Sequence, residues 1–366
     1  MALMSQFRYW ADAVSHLTAA EISIPADTAA ELSTILRAVS VFLGGGRVIQ
    51  PERFLGFMEA LGLQQVTNPH DRIYAVMGLA PWLQLKVDYD APLGKVFEEA
   101  TLQIMWASKR FDFIQYAGIR SSNSLRLPSW AIDFVAIQGA RRIPTAAEFS
   151  ADGRKNFAPT ALIPGTWKAR ILICDRVVAF EVVSPFSQRE MSRLSEANTT
   201  IVKRLASVQQ ALRHKYLPSA DRATIPFTQS FWRTLHFGNY MSDDLSQLIE
   251  WPEDCAELTS DLENWLHKGR RLGRGHSPYS AGSLAITASG ATMIVTARRR
   301  LAITKGHGVQ TGDVVAVIAG SWFPVVLRAN TVDGISGYQV VGPCYVDGKS
   351  GLCSLQFTIS YRYPAD

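Results

Sequence analysis

Through roughly the first 115 residues, apolar positions recur at three- and four-residue intervals, the spacing that lines one face of an α-helix. Ala29 to Phe42 and Pro51 to Leu63 carry this pattern, divided by Gly44-Gly45-Gly46, where a helix can end and a linker begin. Between Asn68 and Pro81 the local chemistry predicts another short helix. Asn68 can cap it, Pro69 suits its first position, Asp71 places negative charge in its first turn, and Ile73, Val76 and Met77 share one face. Gly78 is placed to end it, and Pro81 to stop it resuming. A longer helix is expected from about Pro92, with Leu93, Val96, Phe97, Ala100 and Ile104 as the buried stripe and Glu98 and Glu99 toward water.

Beyond this the pattern changes twice. Arg120 to Thr166 is rich in Ser, Pro, Arg and Ala with weak periodicity, which predicts irregular chain over the helical part. Ala169 to Val183 alternates and is rich in Ile and Val, as strands are, while Phe186 to Trp265 returns to helical spacing. Ser283 to Tyr361 holds short β-branched runs separated by Gly, Asp and Asn, with Asp333-Gly334 a favoured hairpin turn. The expected class is therefore α+β. Residues 1–119 form a helical region, 120–282 a mixed middle, and 283–366 an antiparallel module, either a small sheet or a barrel.

Composition adds few restrictions. A chain of 366 residues that is 47% hydrophobic can bury a sizeable core. Its longest apolar run, Val314 to Leu327, is broken by Pro324 and is shorter than the ~20 residues a spanning helix needs, so it is expected as buried strands. Met1 to Trp10 lacks the basic lead and apolar stretch of a secretion signal, and a cytoplasmic location is the default. Cys174, Cys255, Cys344 and Cys353 lack zinc or redox spacing and are expected as buried thiols. Net charge is +5, and the charge is unevenly spread: no Asp or Glu occurs from Asn264 through Gly312, where Lys268, Arg270, Arg271, Arg274, Arg298, Arg299, Arg300 and Lys305 all fall.

No catalytic arrangement emerges from spacing. The seven histidines make no H-E-x-x-H or H-x-E pattern, so no metal or other cofactor is expected. His307 between Gly306 and Gly308 has no nucleophile or orienting acid beside it in sequence and suits a turn. Ser129, near Asp133, lacks the G-x-S-x-G elbow, and its hydroxyl is expected to serve backbone groups. Glu98-Glu99 and Asp243-Asp244 diverge on a helix. Lys268 to Arg274 lacks interleaved aromatics, and nucleic acid is not an expected partner. Were Arg298-Arg299-Arg300 on a strand, Arg299 would point away from its neighbours.

Several segments carry a likeness. Asn68-Pro69-His70-Asp71-Arg72-Ile73-Tyr74-Ala75-Val76-Met77-Gly78-Leu79-Ala80 is similar to the D-P-R-D-K-V-Y-A-L-L-G-L-A block that follows the HET domain of fungal heterokaryon-incompatibility proteins, and Val87-Asp88-Tyr89 falls at that family's D-Y step. Leu127-Pro128-Ser129-Trp130-Ala131-Ile132-Asp133 resembles its L-P-S-W-V-P-D-W, and Phe231-Trp232-Arg233-Thr234-Leu235 another recurrent block. Arg298 to Thr304, Thr311-Gly312-Asp313-Val314-Val315, Pro324 to Arg328 and Gly342 to Gly348 resemble its C-terminal module, so the likeness spans about residues 45 to 350. It departs at the W-I-D-x-x-C-I-N-Q signature of the HET domain, which has no counterpart before Asn68. The G-L-G-P loop near Lys305 to Gly308 is reduced, and the M-x-G-E ending is replaced around Lys349 to Cys353.

The resemblance implies a part downstream of the TIR-like effector, with the family-motif residues Asp71, Arg72, Tyr74, Gly78, Asp88, Tyr89, Pro128, Trp130, Asp133, Gly312, Asp313 and Arg328 acting as scaffold. Recognition of another protein, without the effector and without catalysis, is the function expected from it. The rival is an uncharacterised enzyme, or an accessory of a fungal biosynthetic pathway, built from residues distant in sequence. No membrane association is expected from either.

Overall fold

The computed structural model describes residues 48–61, 66–120, 123–139, 162–163, 166–167, 169–186, 200–216, 227–241, 248–250, 256–268, 288–332 and 335–347. Ala29 to Phe42, Gly44 to Gly46, Asp243-Asp244, Arg270 to Arg274, Asp333-Gly334, Lys349 to Cys353, Cys255 and most of Arg120 to Thr166 lie outside the described residues. The class is mixed α+β. Two compact units divide the chain, one of 1–108 with 134–139 and the other of 109–133 with 140–366.

The first unit is helical in its described part. Helix α1 (Pro51–Ala60) begins with proline at its start and Glu52 in its first turn, and buries Phe54, Leu55, Phe57 and Met58. The predicted short helix exists as a single turn, α2 (Asp71–Tyr74), followed by a 3-10 turn at Met77–Leu79. Gly78 therefore does not end an α-helix. It sits inside the 3-10 turn, exposed, with negative φ and empty space where a Cβ would lie. Helix α3 (Leu93–Ser108) starts where Pro92 allows and buries Val96, Phe97, Ala100, Thr101, Ile104 and Met105. It packs on α1, and Phe97 meets Phe134 edge to face at 5.3 Å.

The second unit is organised by strands. A short hairpin, β1 (Leu162–Ile163) and β2 (Thr166–Trp167), precedes the long strand β3 (Ile171–Val182). Helices α4 (Thr200–Tyr216) and α5 (Phe227–Leu235) follow, then the hairpin of β4 (Asn239–Met241) with β5 (Leu248–Glu250), and α6 (Ala256–Lys268). Five more strands complete a six-stranded antiparallel sheet with β3: β6 (Thr292–Thr296), β7 (Leu301–Thr304), β8 (Val314–Ile318), β9 (Pro324–Val332) and β10 (Ile335–Val346). The apolar run Val314 to Leu327 is thus buried strand on both sides of a turn. Strand β3, from the stretch before 282, is a full member of this sheet.

Pairing runs β10-β7-β6-β3-β8-β9 and returns to β10. Two strands close this ring by changing partners along their length. β3 pairs with β8 through Arg176 and with β6 from Val177; β10 pairs with β9 through Pro343 and with β7 from Cys344. Each change is accompanied by an irregularity of register, at 173/175 and 177/179 in β3 and at 340/342 in β10. Bulges bend a strand and increase its twist, which is what a strand leaving one sheet for another requires. The result is two half-sheets joined at bent strands, not a clean barrel.

Alternation along β6 and β7 explains why both are buried throughout. Ile294 and Ala302 point into the ring, where they cluster with Val177, Val315, Val326, Val341 and Cys344. Met293, Val295, Leu301 and Ile303 point the other way, onto Leu205, Leu212, Phe231, Trp232, Leu235 and Trp265 of the three helices. A fully buried side chain of this size contributes about 1.5–3 kcal/mol. Arg298-Arg299-Arg300 does not lie on a strand but forms the turn joining β6 to β7. Thr296 and Arg300 close that turn by a 2.9 Å hydrogen bond, and Arg299 takes a left-handed φ of 56°. No helix among the described residues is long and apolar enough to cross a membrane.

Candidate functional site

The motif segments of the first unit converge on one latch. Tyr74 donates its hydroxyl to the Asp88 carbonyl at 3.0 Å and accepts the Asp88 N–H at 3.2 Å. Asp71 accepts the Tyr89 hydroxyl at 2.8 Å, and that hydrogen bond is the main reason the Tyr89 pKa is raised. His70 has both ring nitrogens against oxygen acceptors, the Asn68 side chain at 3.0 Å and the Ala91 carbonyl at 2.9 Å. The rings of His70, Tyr74 and Tyr89 lie 5.3–5.9 Å apart and fill the space between one another. Arg72 points away and donates to the Leu61 carbonyl at 3.2 Å. Asp88 accepts the N–H of Asp90 within its own turn. Asp71, Tyr74, Asp88 and Tyr89 are brought together, whereas Gly78 takes no part.

The Leu127 to Asp133 segment is pinned in the second unit. Trp130, Ala131 and Ile132 are buried. Arg120 donates to the carbonyls of Pro128, at 3.4 Å, and of Ala131; burial lowers its pKa and the charge of Asp133 opposes that fall. Ser129 serves the backbone as expected: its Oγ accepts the N–H of Val340 at 3.0 Å, and its carbonyl accepts the N–H of Gly118 at 2.8 Å. The hydroxyl is thereby committed to strand β10.

Gly312, Asp313 and Arg328 form a second fastening. Buried Asp313 takes both prongs of the Arg328 guanidinium, at 2.9 and 2.8 Å, and the Gln310 N–H at 2.8 Å. Arg328 also donates to the Gly308 carbonyl at 2.5 Å. Gly312, with φ 96°, donates to Val177, whose N–H returns to Asp313. The loop before β8 is so fixed to β9 and to β3 at the point where β3 changes partners.

Two polar groups escaped sequence reasoning because their members lie far apart. Buried Ser230 of α5 donates to Asp347, just after β10, and Arg233 one helical turn later donates to the same carboxylate at 3.4 Å. Glu263 of α6 accepts Trp232 Nε1 at 2.7 Å and Gln209 Nε2 at 2.6 Å, and His267 Nε2 reaches Gln209 Oε1 at 2.8 Å. Trp232, Arg233 and Asp347 lie in segments singled out in the sequence, but nothing local marked Ser230, Gln209, Glu263 or His267. Burial governs the remaining perturbed groups. It pushes the Cys344 thiol up, with Cys174 adding to the rise; it raises Tyr216, helped by Asp347; and it lowers His236 to about 4.

Ser230 is 2% exposed and faces a carboxylate shared with an arginine, so no imidazole stands between nucleophile and acid in this group. His236 is only partly buried as a residue, yet its Nε2 is shut off from solvent. Among the described residues no group of three or more His, Cys, Asp or Glu side chains is placed to hold a metal ion. The geometry defines an α+β protein with a half-switched six-stranded sheet and several polar fastenings. No family model, curated protein or solved structure matches the chain.

Proposed function

We propose that this chain is a non-enzymatic protein related to the region downstream of the HET domain, serving recognition or scaffolding in fungal nonself recognition in the cytosol. The support is the use made of the motif residues. Asp313 is consumed by Arg328, Asp71 by Tyr89, the Tyr74 hydroxyl by the Asp88 backbone and Ser129 by Val340, so each motif group is committed to holding a segment in place. A reactive group needs access to substrate, which burial denies to Asp313. Another protein is the partner this reading calls for.

The test compares fungal strains expressing this chain alone with strains expressing it fused behind an intact HET domain. Growth arrest is expected only from the fusion. Arrest by the chain alone, or substrate turnover by the purified protein, overturns the proposal.

A further inference from the structure

The charge asymmetry of the sequence acquires a location in the fold. At the β6–β7 turn, Arg298 and Arg299 are exposed and Arg300 is half-buried. Exposed Arg176 of β3 lies beside them, because its carbonyl accepts the N–H of Ala297 at 2.9 Å. Asp175 is the nearby acid, but its Oδ1 is occupied by two backbone donors, Arg176 N–H at 2.8 Å and Arg298 N–H at 3.3 Å. Its Oδ2 is buried without a hydrogen-bond partner. Among the described residues no carboxylate lies within ion-pairing distance of any of these four guanidinium groups. Arg299 also holds a left-handed backbone that glycine or asparagine adopts with less strain, so the turn carries a guanidinium where backbone preference alone would put neither charge nor bulk.

We propose that this tip, Arg298, Arg299 and Arg300 with Arg176, is the docking surface for an acidic segment of a partner protein. Guanidinium groups present forked donors matched to carboxylates, and among the described residues no carboxylate takes up that capacity in these four. The surroundings favour a peptide over a nucleic acid. Val178, two residues along β3 from Arg176, is 45% exposed and offers an apolar contact that interspersed leucine or valine would cover. Among the described residues none of the exposed aromatics, Tyr89, Trp106 and Trp322, belongs to β3, β6, β7 or the β6–β7 turn, so no stacking platform for bases adjoins the tip there. The three consecutive arginines span at most roughly 7 Å of backbone, too short a track for the six to ten phosphate contacts that hold a duplex at physiological salt. This assignment rests on reading the chain as a protein-binding module, but its test is independent of any HET relationship.

Fluorescence anisotropy of the full chain with a labelled peptide of glutamates interspersed with leucine measures the interaction, beside a single-stranded oligonucleotide, a duplex, and vesicles containing phosphatidylserine. The peptide is expected to bind, more weakly as salt rises. The triple variant Arg176→Gln/Arg298→Gln/Arg300→Gln is expected to lose about tenfold or more in affinity. Lys203→Gln/Arg213→Gln, on the exposed side of α4, keeps the affinity and removes nearly as much charge, and an unchanged circular dichroism spectrum shows that the triple variant folds. The proposal is overturned if the peptide does not bind, if the triple variant binds it equally, or if oligonucleotide or vesicle binds more tightly than peptide. Growth arrest by the chain alone would overturn the functional proposal and leave this one standing.

Discussion

Replacing Arg328 by methionine tests whether the clamp on Asp313 holds the sheet together. Methionine keeps most of the stem's apolar contact and removes only the guanidinium. Asp313, 3% exposed, would then keep the Gln310 N–H as its one donor in place of three. Stranding a buried carboxylate costs about 3–5 kcal/mol, well above the 0–1 kcal/mol of a surface pair. With a urea slope of about 1–3 kcal/mol per molar, the unfolding midpoint followed by tryptophan fluorescence should fall by roughly 1–5 M. The double variant Asp313→Asn/Arg328→Met leaves no uncompensated charge and should recover at least about 1 kcal/mol of that loss. A single variant within about 1 kcal/mol of the parent would show the pair to be a surface interaction in energetic terms. A double variant no better than the single would show that the cost lies in lost packing and not in stranded charge.

Other perturbations have expected outcomes of different sizes. At the crossing of Gly306 and Gly342, a Cβ on Gly342 would stand 2.6 Å from the Gly306 Cα and 2.9 Å from its nitrogen, so Gly342→Ala should lose about 3 kcal/mol or more in urea unfolding, while Gly78→Ala, which meets nothing, should be neutral or slightly stabilising. His236 is held near 4 against 6.5 unfolded; a depressed histidine leaves stability intact above pH 6.5 and removes it as the pH falls from 6.5 toward 4. That loss is about 2 kcal/mol at pH 5, and His236→Gln should abolish this part of the acid sensitivity, a slope unchanged by the substitution ruling it out. Tyr74→Phe removes both hydrogen bonds to the Asp88 backbone and should cost about 1–2 kcal/mol, read as faster amide exchange at Asp88 and in α2; unaltered exchange would mean that the latch does not hold that turn.

What could be read in advance was whatever depends on neighbours in sequence. The stripe of α3 follows from spacing because the helix presents one face to one core, and the two strands within Val314 to Leu327 follow from their β-branched apolar runs on either side of the Gly320 to Pro324 break. Ser129 could be assigned to the backbone from the absence of an elbow, though nothing local indicated Val340, 211 residues away, as its donor. The membership of β3 was hidden for the same reason: its partners β8 and β6 begin more than a hundred residues later, and alternation shows that a strand has two faces, not which strands flank it. Whether Arg298 to Arg300 lay on a strand was left open by the sequence, and the hairpin's closure at Thr296 and Arg300 makes it a turn.

The glycines show the limit most sharply. Gly78, which local rules marked as a helix terminator, occupies a backbone and a space that alanine could share, whereas Gly306, Gly342 and Gly118, which no local rule singled out, surround the carbonyl of Val341 and its neighbour. Val341 is the residue left over at the β10 irregularity, and its carbonyl is turned toward Gly118 and Gly306. The requirement for glycine therefore arises from three segments meeting where β10 leaves β9 for β7. Such a requirement belongs to a closed tertiary structure and has no signature within any one segment, and the Ser230–Asp347 contact, 117 residues apart, is of the same kind. Arg233 on α5 and Asp347 just after β10 are joined in the same way, and Ser230, three residues before Arg233, donates to the same carboxylate.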